Sequence, residues 1–243
     1  MPEYRYETHC HTSQASRCGS ISGRDIARHY KKIGHTGIVV TDHFFNGNCC
    51  IPGDIPWNDR VHMFFAGYRD AKAEGDNIGL DVFPGWEFNY GGTEFLTYGL
   101  DENWLYDKPW LENMPLDEYG DLVRKDGGFA VHAHPFREAS WIRHISLYPH
   151  SCDGAEAFNA AHFEMERTDF DERACFFCES YGLIRMAGSD NHRGPMRYYT
   201  SVVLPERAET VFDLIDAVKA GRHSLLLLSE DGKPVRRLWP AAS

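Results

Sequence analysis

Positive charge is in short supply in this chain. Lys and Arg number 25 against 36 Asp and Glu, a formal net charge of −11. Without cationic surface a protein is poorly suited to hold nucleic acid non-specifically or to lie on an anionic membrane, so neither a long nucleic acid nor a membrane is an expected partner. A small anionic molecule stays open, because bound divalent ions can reverse a local potential. Long apolar runs are missing too. The longest aliphatic run is Leu225–Leu228, against the ~20 residues a spanning helix needs, and the opening MPEYRYET has no apolar core of a signal peptide. Cysteine is sparse and odd in number: Cys10, Cys18, Cys49, Cys50, Cys152, Cys175 and Cys178. An odd count with an adjacent pair and no secretory signal points to reduced thiols and a cytoplasmic protein. The lone C-x-x-C, Cys175 and Cys178 in ERACFFCES, reads as two ordinary buried helix cysteines. No repeat, low-complexity tract or long linker divides the chain, so a single domain over 1–243 is expected.

What is present is an ordinary globular balance, 42% apolar and 25% charged residues, arranged as short β-like runs alternating with amphipathic helical stretches. The first strand covers about 4–11. Ser22 and Asp25 cap a helix carrying Ile26, Tyr30 and Ile33, and GIVVTDH (37–43) is a buried strand. A helix through Val61, Phe65 and Tyr68 leads to LDVFPGWEFN (80–89), which FLTYGL (95–100) extends or pairs with. Later strands are FAVHAHP (129–135), AEAFN (155–159), LIRMAGSDNH (183–192) and YTSVVL (199–204). Helices lie between them, and SLLLL (224–228) closes the order. Strand–helix alternation of this kind implies a largely parallel sheet, open or closed.

Metal-capable residues collect at the carboxyl ends of these strands: His9 and His11, Asp42 and His43, Glu87, His132 and His134, Asn159, Asp190 and His192. Chemistry assembles at that end of a parallel α/β sheet. His29 and His62, on helix faces, stand outside the pattern. His9 and His11 share a strand face and could grip one borderline cation such as zinc, manganese or iron; alone, the pair could equally be core or surface histidines. Asp42 could cap a turn with His43 packed beside it. Glu87, in an apolar stretch after Trp86, needs a strong partner, either a cation or an arginine. By alternation His132 and His134 face the same way. Pro135 leaves His134 at the lip as the ligand and His132 a layer deeper, in a supporting or core role. The joint placement at five strand ends favours a metal site.

In order, H-x-H, T-D-H, a strand-end Glu, A-H-P-F-R and G-S-D-x-H resemble the PHP (polymerase and histidinol phosphatase) superfamily of metal-dependent phosphoesterases over His9 to His192. The resemblance implies a distorted (β/α)7 barrel, TIM-barrel-like, with strands ending near His11, His43, Glu87, His134, Asn159, Asp190 and Leu204. It also implies two or three divalent ions (Zn, Mn or Fe). His9, His11, Glu87 and Asp190 resemble the ligands of one, and Glu87 would bridge to a second that His134 also binds. His43 and His192 resemble ligands of a third. Two positions depart from the family: Arg17 and Cys18 stand where a further histidine is usual, and Glu94 stands where the second ion usually takes one. Glu94 could be a harder ligand or an exposed turn residue. Cys18 could bind as thiolate, but Arg17 as a phosphate clamp is preferred, with a plain surface arginine as its alternative.

The implied activity is hydrolysis of a phosphomonoester of a small metabolite or nucleotide by a water that two ions share and acidify. Arg17, Arg137 and Arg193 would hold phosphoryl oxygens, His43 or His192 would protonate the leaving oxygen, and Asp42 would orient an imidazole. A phosphodiesterase or exonuclease, a non-phosphate metallohydrolase and a metal-binding regulatory module are the rivals. The aromatic loops 44–57 and 136–150 could stack on a substrate ring or pack on themselves.

Overall fold

The computed structural model describes residues 3–240. In chain order its elements are β1 Tyr4–Cys10, α1 Gly23–Lys32, β2 Gly37–Val40, α2 Trp57–Phe64, α3 Ala66–Ile78, β3 Asp81–Tyr90, β4 Thr93–Tyr98, α4 Glu102–Leu105 and α5 Leu116–Lys125. They continue with β5 Phe129–His132, β6 Gly154–Asn159, α6 Ala160–Glu164, α7 Asp169–Tyr181, β7 Ile184–Gly188, β8 Tyr198–Leu204, α8 Val211–Lys219, β9 Ser224–Ser229 and β10 Pro234–Trp239. Ser22 caps α1 as its spacing requires, accepting from the Asp25 amide. The single helix expected around Val61–Gly75 is broken at Phe65 into α2 and α3. Among the described residues no helix is long and apolar enough to cross a membrane.

One mixed sheet runs through the molecule in the order β10-β9-β8-β1-β2-β3-β4-β5-β6-β7. Two parallel blocks, β1-β2-β3 and β5-β6-β7, are joined through β4, which is antiparallel to both neighbours. The α/β sheet expected from the sequence is present, but the (β/α)7 count implied by the resemblance is not met in this mixed ten-stranded sheet. The strand ending at Leu204 is β8, and it runs antiparallel to β1. Both reversals follow from connection length. β3 and β4 are joined by Gly91 and Gly92, each at positive φ, a tight hairpin. Only 189–197 separate β7 from β8, fewer than the dozen or more residues a parallel crossover needs.

Strand β1 forks. Its first half, Tyr4 to Tyr6, pairs with β8; its second half leaves β8 and meets the far edge of the sheet, so the sheet curls on itself at one end. There His11 N donates to Asn191 O (2.9 Å), Asn191 N to His9 O (3.3 Å) and Thr8 Oγ1 to Ala187 O (2.8 Å). Glu7 makes the stitch beneath them. Fully buried, its carboxylate accepts from His9 N (2.8 Å), Ser189 N (2.9 Å) and Tyr30 OH (2.8 Å), and burial pushes it up to about 7. Behind this seam, α3 comes unusually close. A Cβ on Gly67 would lie 2.0 Å from Thr12 Oγ1 and 3.0 Å from Asp42 Oδ2, so only glycine lets the helix back this loop. An aromatic core of Phe44, Trp86, Phe88, Phe95 and Tyr119 fills the space between sheet and helices.

Because Glu7 substitutes for a missing ladder, Glu7→Leu should lower stability by roughly 2–4 kcal/mol, as it strands buried donors. Glu7→Gln can still accept from both amides and donate to Tyr30, and should stay within about 1 kcal/mol of wild type. Urea unfolding checks both; a Leu variant as stable as wild type would show that the seam does not need this carboxylate.

Candidate metal centre

The curled end of the sheet gathers side chains from six strands. His9 lies on β1 and His11 just past it. The β2–β3 pairing continues beyond β2, with Glu87 N donating to Asp42 O (2.9 Å), which sets His43 beside Glu87 in an isolated parallel bridge. Glu94 projects from β4. His134 and Asp190 follow β5 and β7 in turns where both take positive φ, 28° and 54°, conformations that non-glycine residues hold at a cost of order 1–3 kcal/mol and mostly at functional sites.

The donor atoms crowd together. His9 Nε2 lies 3.1 Å from His11 Nε2, 3.2 Å from Glu87 Oε1 and 3.3 Å from Asp190 Oδ1. His11 Nε2 lies 3.2 Å from Asp190 Oδ1 and 3.6 Å from Glu87 Oε2. On the other side of Glu87 stand His43 Nδ1 at 2.7 Å and His134 Nε2 at 3.3 Å, with Glu94 reaching both at 3.7 and 3.5 Å. The ring of His192 stacks on that of His11 at 4.0 Å. Four overlapping groups of potential ligands result: His9–His11–Asp190, His9–Glu87–His134, His43–Glu87–Glu94 and His11–His43–His192. Between them they contain His9, His11, His43, Glu87, Glu94, His134, Asp190 and His192, while Cys18, the thiolate alternative, is in none.

The tautomers are set from behind. Glu156, buried on β6, takes His9 Nδ1–H at 2.9 Å and also accepts from His134 N and Asn159 Nδ2, both at 2.9 Å. His11 Nδ1 meets Ser16 Oγ at 3.1 Å, and Ser16 donates onward to Asp42 Oδ1 at 2.6 Å. Asp42 is further occupied by Thr12 N (2.6 Å) and Thr12 Oγ1 (2.7 Å). With their Nδ1 atoms engaged as donors, His9 and His11 turn two Nε2 lone pairs toward each other. A shared cation relieves that repulsion. Spacings of 3.1–3.6 Å fit the edge of a tetrahedron, about 3.3 Å when each corner is about 2.0–2.1 Å from the centre. Glu87 supplies the firmest test. Both its carboxylate oxygens are buried without a hydrogen-bond partner, a costly state for an ionised group unless it coordinates or pairs. The donor set of imidazoles and carboxylates suits zinc, manganese or iron.

Charge points the same way. Burial would raise Glu87, but His9 and His43 hold it well below the usual carboxylate range. Burial is likewise overcome at Asp190 by Arg137 and His9. His9 is pushed down by burial yet held well above the imidazole range by Glu156, Asp190 and Glu87, three carboxylates that favour a positive charge at this position, a proton or a metal ion alike. His11, lowered by burial and by His192 and His43, stays neutral.

The remaining expected residues divide. Arg193 and His192 line a cleft of about 660 Å³ that opens on the cluster beside His43, Glu94 and Cys18. Burial pushes the Cys18 thiol up, but hydrogen bonds to His192 and His43 take it down to about 6; its sulfur is 3.1 Å from His43 Nε2. Arg17 is exposed, outside the cleft lining, with its guanidinium on Cys49 O at 3.2 Å. Arg137 lines the cleft but is engaged by Asp190 and Asn159. His132 faces away, its ring 4.7 Å from Phe95 and 5.9 Å from Phe177. The aromatics of 44–57 largely pack on one another; Trp141 of 136–150 is 76% exposed at the cleft. Glu156 and Ser16 escaped the sequence reading. Glu156 carried the same signal as Glu87, an acid inside a buried strand, whereas Ser16 carried none.

Neither the protein-family models nor the curated proteins include a match to this chain. Solved structures do resemble it. A two-domain protein of Bacteroides vulgatus containing a candidate PHP-like metal-dependent phosphoesterase aligns at TM-score 0.67 and 17% identity, over 94% of this chain and 67% of that one. A candidate metal-dependent phosphoesterase of Bifidobacterium adolescentis aligns at 0.52 and 15%, over 88% and 95%. An amidohydrolase of Chromobacterium violaceum, solved with sulfate and no metal, aligns at 0.54 and 14%, over 93% and 98%. At these identities the likeness is one of fold.

Stripping with a chelator and adding back Mn²⁺ or Zn²⁺ should raise Tm. At a free concentration about a hundredfold above Kd the gain is roughly 2.7 kcal/mol, or roughly 5–10 °C. Glu87→Ala should abolish the shift. No shift in the wild-type protein with either ion would mean that the cluster holds none.

Proposed function

With a PHP-like fold as premise, we propose that this chain is a single catalytic domain that hydrolyses a phosphomonoester of a small metabolite or nucleotide. Two or three divalent ions (Zn, Mn or Fe) would be held by His9, His11, Glu87 and Asp190, by Glu87, His134 and Glu94, and by His43 with His192. The observation that carries the reading is Glu87, a buried carboxylate that meets four imidazoles and, among the described residues, no backbone amide or hydroxyl, next to His43, Glu94 and Asp190, which line an open cleft. Ions bound there would polarise a phosphoryl oxygen and lower the pKa of water.

The chain's own groups supply the rest. Glu156 and the Ser16–Asp42 pair keep the lone pairs of His9 and His11 aimed inward, and Asp42 acts through this orientation. Arg193 sits at the cleft and makes no ion pair among the described residues; of the three arginines it is the one free to receive phosphoryl oxygens. With two ions bound and the third position empty, His192, more exposed than His43 at side-chain accessibilities of 20% and 9%, is the better-placed proton donor to a leaving oxygen. The acidic surface favours a small substrate over nucleic acid. The Chromobacterium neighbour's description as an amidohydrolase supports a second reading, C–N hydrolysis at the same cluster.

The metal-loaded protein should hydrolyse p-nitrophenyl phosphate faster than bis-p-nitrophenyl phosphate or a p-nitroanilide. Asp190→Asn should lower kcat/KM by more than about a hundredfold, beyond what an outer partner of a ligand typically costs. Arg193→Ala should raise KM about tenfold, or about 1.4 kcal/mol. Preference for the diester moves the reading to a phosphodiesterase. Anilide turnover alone supports the second reading, and metal binding without any turnover leaves a regulatory module.

A further inference from the structure

Arg137 stands next to the cluster, yet its guanidinium is not free to meet a substrate. One Nη donates to Asp190 Oδ2, the other to Asn159 Oδ1 at 3.1 Å, and Nε points to His162 Nε2 at 3.4 Å. His162 is itself buried and gripped from behind: its Nδ1 is 2.6 Å from Asp171 Oδ1. That oxygen also accepts from Asn159 N at 3.3 Å, while Asp171 Oδ2 meets no partner. The arrangement has one consistent direction. Nδ1–H of His162 donates to Asp171, which leaves the Nε2 lone pair to accept from Arg137. His162 lies on α6 and Asp171 on α7, outside the donor cluster, and neither reaches the cleft lining. Their polar atoms serve Arg137 and, through it, Asp190.

Asp190 needs such a hold. It sits at positive φ, and its Oδ1 must face His9 and His11 at 3.3 and 3.2 Å. A carboxylate whose second oxygen is unpaired can rotate away from that pose; one whose second oxygen is fixed to a rigid guanidinium fork cannot do so freely.

We propose that Asp171 and His162 are positioning residues that lock Arg137 against Asp190 and thereby set the affinity of the His9–His11–Asp190 group for its cation. This rests on the metal-centre reading above. The test is competition of Mn²⁺ or Zn²⁺ between the protein and a chromogenic chelator, run on variants shown to be folded by thermal unfolding in chelator. His162→Leu should weaken the tightest-bound ion by about 10–100-fold, the usual effect of losing an outer partner. His162→Gln, which can still accept from Arg137 and donate to Asp171, should stay within about threefold. Phe177→Leu, a change of apolar packing on α7, should lower Tm and leave affinity alone. The proposal is overturned if His162→Leu binds the ion as tightly as wild type, if His162→Gln loses as much as His162→Leu, or if Phe177→Leu weakens binding equally. If the wild-type protein binds no ion, the metal-centre reading fails first and this one with it.

Discussion

A carboxylate without a donor is the constraint around which this end of the molecule is arranged. Glu87 is buried on a central strand, where an ionised group left alone would cost several kcal/mol. Among the described residues the fold nonetheless places no backbone amide and no hydroxyl against either oxygen. It places imidazole nitrogens there instead, from His9, His43, His134 and His11. Those nitrogens are aimed by groups behind them, the buried Glu156 and the Ser16–Asp42 pair. A polar network of this kind is satisfied only as a whole. The positive φ of His134 and Asp190 belongs to the same arrangement, since each must leave its strand and double back toward Glu87.

The seam between β1 and β7 follows from it. Regular pairing of these two strands is replaced by the Cys10–Asn191 bridge and by side chains, chiefly Glu7 and Thr8. The sheet is thus pulled shut at the end that carries His9, His11 and Asp190, while at the other end β1 is free to pair with β8. The same carboxylate chemistry that serves the cluster also closes the sheet beneath it.

Much of this could be read from the chain alone because strands impose a period of two and end where polar residues begin. Seven of the ligand candidates are legible as acids and imidazoles at strand ends, and Glu94 only from its place in the resemblance. His132 shows where that logic stops: β5 ends at His132 and His134 takes φ 28°. Alternation no longer applies between them, and the two rings part, one to the cluster and one to Phe95 and Phe177. Strand direction was illegible for another reason. A run such as YTSVVL looks the same in a parallel or an antiparallel ladder, and only the short link before it decides. Closeness in sequence to a ligand, the ground for expecting Arg17, Arg137 and Arg193 at a phosphate, does not set side-chain direction. Pairing of the 16–18 loop with 48–49 turns Arg17 onto the Cys49 carbonyl.

The fate of Arg137 bears on the largest apparent contradiction, an acidic chain offered as the host of an anionic substrate. Glu87, Glu94 and Asp190 bring three carboxylates to the cluster, and the one guanidinium among them is committed to Asp190. Those carboxylates are at best balanced by the guanidinium and by the raised imidazoles of His9 and His43, so the bare site has no surplus positive charge to attract a phosphate. Only bound cations can supply that surplus, with Arg193 at the rim adding to it. In such a site the ions are not an accessory to catalysis alone. On the proposed function they would be the condition for binding, and the substrate's affinity would be tied to whatever holds Asp190 and Glu87 in place.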